Sequence, residues 1–257
     1  MILSRRASLG GVQLDEVHDS IVIKSMDPGV PNEDVQAEAR MGGYGQRMTG
    51  QHWNTLEARV EFGIDVYKRD MELRREVFDA VLAWAKAKKW LVFSNMPDRR
   101  MYVDKVILPG SGDLWNWTAT YTIGFRAYGV PFWQQITPTT AVKKSVSNGS
   151  VNIEVGGTAP SVLDVSFRNI SGKTIPNFTV KAGKQRIDVK GVNLGGSETL
   201  KISHGTDGLL KITAGSRDVY ELYSGDDDLY VEPGPVTVSV EAICAGELTV
   251  TNYGRFY

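Results

Sequence analysis

The sequence predicts a mainly β chain with one α-helix, arranged as two domains, and three observations carry that expectation. All six tryptophans and all seven methionines fall within the first 133 of the 257 residues, whereas 15 of the 27 glycines follow them. Only segment 69–89 repeats its apolar residues at the helical period. Nearly everything else is either an apolar–polar alternation or a short β-branched run between turn residues. The length suits one or two domains, each with a core of its own.

The first strong element is 55–66. Leu56, Ala58, Val60, Phe62 and Ile64 fall on one side, with Glu57, Arg59, Glu61 and Asp65 on the other, as in a half-buried strand. In 69–89 the period changes: Leu73, Val77, Val81 and Trp84, with Phe78 and Ala85 beside them, form a helical face. Asp70 and Glu72 near its start and Lys86, Lys88 and Lys89 near its end suit the helix dipole. Strands are expected at 90–94, 101–108 and 114–128, with turns at 95–98 and 109–112. Residues 26–52 differ: Pro28, Pro31, five glycines and mixed charge leave almost no period. A connection that long is usually functional or disordered.

The boundary is expected after Trp133, with 134–147 as a linker around Pro138 and Lys143-Lys144. From 148 to 257 short strands are expected at 150–155, 162–169, 178–180, 187–189, 199–202, 209–213, 236–242 and 248–252. Turn signals such as Gly183, Asp207-Gly208 and Ala245-Gly246 separate them. Regular short strands without helical period predict a β-sandwich.

Composition excludes several functions. A net charge of −1 lacks the basic footprint of a nucleic-acid-gripping protein. Cys244 alone can form neither an internal disulfide nor a cysteine-rich zinc site. His18, His52 and His204 lie far apart in sequence. No stretch approaches the ~18 apolar residues of a membrane span, and the first residues carry no apolar signal core, so a soluble cytosolic chain is expected.

The candidate chemical motifs are weak. Gly42-Gly43-Tyr44-Gly45 follows no strand and opens no helix, so a flexible loop is favoured over a phosphate cradle. Asp226-Asp227-Asp228 lacks the spacing of a calcium loop and reads as a solvated turn. Cys244 sits in a strand-like run and reads as a buried thiol. Trp115 and Trp117, at strand spacing, read as a core or subunit-contact face before a sugar platform. No Gly-x-Ser-x-Gly or His-Glu-x-x-His occurs. Neither catalytic nor cofactor-binding nor metal-ligating residues are assigned.

The order of elements carries a resemblance. The helix is followed by Trp90-Leu91-Val92-Phe93-Ser94-Asn95-Met96-Pro97-Asp98-Arg99, and the domain closes in Tyr128-Gly129-Val130-Pro131-Phe132-Trp133. With Leu229-Tyr230-Val231-Glu232-Pro233-Gly234 in the second half, the chain resembles the distal tail (Dit) proteins of siphophages and prophages. That family often reads Pro-Gly-Asn at the last of these motifs, where Pro235 stands here.

The resemblance implies an N-terminal β-sandwich or split-barrel ring domain, residues 1–133, with an extended arm at about 26–52. It also implies a C-terminal galectin-like β-sandwich, residues 148–257. The implied role is that of a non-enzymatic virion protein forming a homohexameric ring, assembled in the host cytoplasm and resident in the virion tail. Such a ring joins the tail tube protein to the tail tip or tail-associated protein and serves as a hub for receptor-binding proteins. DNA would pass through it only in transit, and no membrane or cofactor is implied. Within the arm, Glu38, Arg40, Met41, Tyr44, Arg47 and Met48 are the candidate subunit contacts. The alternative is a carbohydrate-binding module of a phage tail tip, although sugar-binding galectins stack a tryptophan on the sugar and none follows Trp133.

Overall fold

The helical period of the sequence becomes helix α1 (Met71–Ala85), capped by Asp70, whose carboxylate accepts the N–H groups of Glu72 and Leu73 at 3.0 and 3.1 Å. Such a cap stabilises a helix by about 1 kcal/mol. The computed structural model describes residues 5–39, 46–66, 70–86, 89–110 and 116–257, and it divides into two units, Met1–Trp133 and Gln134–Tyr257. Among the described residues the architecture is mainly β with this one α-helix.

The first unit begins with β1 (Ala7–Leu9), β2 (Val12–Gln13), β3 (Ile21–Asp27), β4 (Asn32–Ala39) and β5 (Gln46–Ile64). After the helix come β6 (Trp90–Phe93), β7 (Met96–Tyr102), β8 (Lys105–Ile107) and β9 (Tyr121–Ala127), with β10 (Trp133–Gln135) at the boundary. One sheet runs β3-β5-β9-β8, with β4 added on β5; another places β2, β1, β6 and β7 side by side. Leu56, Ala58, Val60, Phe62 and Ile64 are all buried, as their alternation predicts. The helix buries Val77, Phe78, Val81 and Ala85, and the Phe78 ring packs 5.1 Å from that of Tyr121 on β9. Each such side chain contributes roughly 1.5–3 kcal/mol on burial.

Two expectations in this unit are corrected. The strand expected at 114–128 starts only at Tyr121. Asn116 Oδ1 accepts both the N–H and the hydroxyl of Thr118, at 3.1 and 2.9 Å, and this local turn competes with the ladder. Trp117 therefore lies in a turn, 4.6 Å beneath the guanidinium of the fully buried Arg74, and Trp115 is outside the described residues. The turn expected at 95–98 is also shorter, because β7 already begins at Met96. Pro97 falls where the β6–β7 register slips, between the pairs Phe93–Met96 and Leu91–Met101, so its missing N–H costs no ladder bond.

The second unit adds β11 (Thr139–Val155), β12 (Ser161–Asn169), β13 (Ile175–Ala182), β14 (Gln185–Leu194) and β15 (Thr199–His204). It continues with β16 (Leu210–Ala214), β17 (Arg217–Asp218), β18 (Tyr223–Gly225), β19 (Tyr230–Val231), β20 (Gly234–Asn252) and β21 (Arg255–Phe256). One hydrogen-bonded path, β17-β16-β15-β12-β20-β13-β14-β18, covers a single apolar core that includes Phe167, Phe178, Ile187, Ile202, Val240 and Val250.

Residues 134–147, expected to be a linker, are mostly strand: β11 starts at Thr139 and pairs with β20 from Thr139–Asn252 to Val155–Gly234, with register shifts between Lys143 and Asn148. The β-branched residues Thr139, Thr140 and Val142 favour that extended pairing. The break expected at Ala245-Gly246 is an irregularity inside one strand: β20 continues through it, but its pairing with β11 slips from Val146–Gly246 to Asn148–Glu241 and its other edge changes partner from β13 to β12. Gly246 also marks a close approach. A Cβ there would stand 2.2 Å from Phe167 Cζ and 2.7 Å from the Arg168 carbonyl oxygen.

Candidate functional site

The segment expected to be an aperiodic arm is a β-ribbon. β4 pairs antiparallel with β5 from Asn32–Thr55 outward to Ala39–Gln46. Its apolar period is weak because most of its described side chains are exposed, although Trp53 near the base packs its ring 5.8 Å from that of buried Phe132. Val35 is 53% exposed, and Glu33, Gln36, His52 and Asn54 are exposed as well. Among the described residues, β4 pairs with no strand but β5, and residues 46–55 of β5 pair with no strand but β4. Further along, residues 56–62 of β5 have β9 on one edge while β3 takes the other from Arg59 to Ile64. The same strand is thus interior at one end and open at the other.

A kink sets where the ribbon departs. Between β3 and β4 stand Pro28, Gly29, Val30 and Pro31, two of which cannot donate to a ladder. Gly29 has φ +64°, and a Cβ on it would lie 1.9 Å from the carbonyl oxygen of Glu57 on β5. Its N–H donates to Asp27 Oδ1 at 2.9 Å, and the Pro28 carbonyl accepts the indole N–H of buried Trp133 at 3.0 Å. At the ribbon's base, Glu57 receives the guanidinium of Arg126 at 2.6 Å and that of Arg59 at 2.8 Å. The Arg126 hydrogen bond, aided by Arg59, holds the Glu57 carboxyl below its ordinary value against the opposing effect of burial.

Of the candidate contact residues, Arg40, Met41 and Tyr44 lie outside the described residues, as does the whole Gly42-Gly43-Tyr44-Gly45 motif. Glu38, Arg47 and Met48 lie in the ribbon, where the backbone pairs Glu38 with Arg47 and Ala37 with Met48. His52 and Asn54 both approach Asp34 across the two strands, at 3.6 and 2.9 Å.

A second constellation, in the C-terminal unit, is invisible in the sequence. His204 at the end of β15 places Nδ1 3.0 Å from Asp164 on β12 and Nε2 2.8 Å from Asp228. Both ring nitrogens are therefore occupied, which leaves none to activate a hydroxyl or thiol nucleophile. The turn Asp226-Asp227-Asp228 is not merely solvated. Asp226 accepts the Arg186 N–H at 2.6 Å and Asp228 faces His204. Cys244 is half-buried against the apolar core. Among the described residues no group of His, Cys, Asp and Glu is arranged to hold a metal ion.

Comparison with known proteins places this fold. No family model matches the chain, and no curated protein matches its sequence. Among solved structures, the crystal structure of SPP1 Dit (gp 19.1), described as a paradigm of hub adsorption apparatus in phages infecting Gram-positive bacteria, covers 98% of this chain and 99% of its own, with a TM-score of 0.68 at 13% identity. The chain has the fold of SPP1 Dit. A chain of the phage P2 baseplate in its activated conformation with Ca aligns over 97% of this chain and 98% of its own, at 11% identity and a TM-score of 0.47. The motif resemblance to distal tail proteins and the likeness in fold to a Dit protein agree.

Proposed function

We propose that this chain is a distal tail protein of a phage or prophage, a non-enzymatic virion component that assembles with copies of itself into a ring between tail tube and tail tip. The observation that carries the reading is the end-to-end likeness in fold to SPP1 Dit, which leaves neither unit of this chain outside the match. In this reading the ring is a homohexamer in the virion tail, a hub for tip and receptor-binding proteins, with DNA passing through its centre. The open ribbon β4–β5 is the intersubunit arm. A two-stranded ribbon that packs at its base through Trp53 and is otherwise largely exposed in its described side chains is marginal by itself in water, so in this reading a neighbouring subunit supplies further contacts. Glu38, Arg40, Met41, Tyr44, Arg47 and Met48 are the proposed contact residues.

Native mass spectrometry of the purified chain tests the ring, with a closed oligomer of 28.3 kDa subunits expected. Replacing residues 31–50 by a short Gly-Ser bridge tests the arm, because closing the shorter loop changes stability by less than a few kcal/mol. The shortened chain should keep its fold and lose the ring. Monomer alone at all concentrations for the intact chain, even with tail tube protein added, would overturn the ring. An unchanged ring after the deletion would overturn the arm.

A further inference from the structure

The His204 cluster has a geometry that only one protonation state satisfies. Its side chain is 6% exposed and stands between Asp164 and Asp228 carboxylates, which are 29% and 37% exposed. A neutral imidazole carries one N–H and one lone pair. It can donate to one of these carboxylates, and its lone pair then faces the other. Only the imidazolium donates to both. Asp164 Oδ1 also accepts the His204 backbone N–H at 3.0 Å, which fixes the Asp164 side and makes the Asp228 contact the one that can open.

Asp228 lies between two anchors, the Asp226 N–H on the Arg186 carbonyl at 2.8 Å and the buried side chains of Leu229 and Val231. The Leu229 carbonyl also accepts the Leu163 N–H at 3.1 Å, and β19 adds the pairs Ser161–Val231 and Val162–Tyr230. The charged and titratable groups around the cluster come from every neighbouring element. Asp164 belongs to β12, Asp228 to the turn, Tyr230 to β19 and Arg255 to β21. At the far end of the β15–β16 hairpin, Lys211 and Asp207 pair with each other at 4.0 Å. Arg255 is 8% exposed and experiences the fields of Tyr230, Asp228 and Asp164. Two partly exposed carboxylates and two buried cations thus balance around the cluster. Loss of the imidazole proton leaves an excess negative charge there, which a low-dielectric surrounding penalises.

We propose that His204 is a pH-sensitive latch: as the imidazolium it helps tie residues 226–231 to β12 and β15, and on losing its proton it loosens that segment. Burial opposes the charged form, yet hydrogen bonds to Asp164 and Asp228 outweigh it and raise the His204 value above the ordinary one. An unfolded histidine titrates near ~6.5. The folded chain therefore holds an extra proton above that pH, and the latch is fully closed below it. Its contribution disappears as pH rises through the folded-state value.

Hydrogen exchange of the full chain at pH 6 and pH 9, corrected for intrinsic rates, tests the latch. Protection of the 226–231 amides should fall at least tenfold at pH 9 while that of the β13–β14 ladder stays constant. In His204→Gln, with one side-chain amide and no charge, the segment should be equally open at both pH values. Should that variant fail to fold, Asp228→Asn serves instead, with the His204 ring titration moving towards the ordinary value. Equal wild-type protection at pH 6 and 9, or a His204 ring that titrates at or below ~6.5, overturns the proposal.

Discussion

Two strands of 19 residues, β5 and β20, meet different fates. β20 is paired with β11 on one edge and with β13 and then β12 on the other, and it buries Val238, Val240, Ala242, Leu248 and Val250 in the core. β5 is built the same way only from Leu56 onward; its first ten residues have one partner strand, and of their described side chains Trp53 alone packs on a buried ring, that of Phe132. Strand pairing alone contributes little, since backbone hydrogen bonds exchange with those to water. What secures β20 is apolar burial. The outer half of β5 shows little of it among its described side chains, the contact of Trp53 with Phe132 apart. The difference separates a strand enclosed by its own unit from one with an open edge, which is the half that the proposed ring would use.

The sharpest way to break the comparison is on the secured side. Phe167 lies opposite Leu248 of β20, packs its ring 4.9 Å from Phe178 and fills the space that Gly246 leaves open. Phe167→Ala should cost the second unit about 3–5 kcal/mol, the range for a buried phenylalanine. Differential scanning calorimetry should show the transition of the second unit moving down while that of the first is unchanged. A loss under ~1 kcal/mol would mean that the core beneath β20 is not what holds it.

These two strands also show what the sequence makes legible. The inner half of β5 is readable because Leu56 to Ile64 alternate over a core, and a period is the trace that a core leaves in a sequence. The outer half has little core, so 46–52 reads as part of an aperiodic arm although its backbone is as extended as the rest. In β20 the signal is partly met: Ala245-Gly246 reads as a turn, and the strand continues there with a register slip against β11, while Gly246 itself makes room for Phe167. The candidate contacts Glu38, Arg47 and Met48 were selected by location and residue type, and register adds the Glu38–Arg47 pair. His204 gave no signal at all. Asp164, His204 and Asp228 span 65 positions and meet only through the β12–β15 and β12–β19 pairings.

A smaller effect is expected at the kink where the ribbon leaves the sheet. Gly29→Ala places a methyl group against the Glu57 carbonyl in a left-handed backbone conformation. Overpacking and the left-handed penalty together should cost the first unit roughly 2–3 kcal/mol. Part of the strain can be relieved by swinging the ribbon, so assembly should weaken more than chemical denaturation of the monomer suggests. If the variant assembles like the wild type, the departure angle of the ribbon does not matter to the ring, and the kink is only a local turn.

The smallest expected effect lies at the junction where β5 passes from open to covered, and pH reads it. Glu57 is held ionised below its ordinary value, chiefly by Arg126. A carboxylate depressed in the folded state adds stability that is complete above its unfolded value, near ~4.3, and lost as pH falls through the folded one. Its partners are partly exposed, at 37% for Arg126 and 57% for Arg59, so solvent screens much of the attraction. Glu57→Gln should therefore be slightly less stable than the wild type at pH 7, and the gap should close on acidification below pH ~4. Urea melts of both chains at pH 7, 5 and 3 would show it. A gap that persists at pH 3 would assign the effect to packing at the sheet edge, and the junction would then be held in the same way as β20, by contact and not by charge.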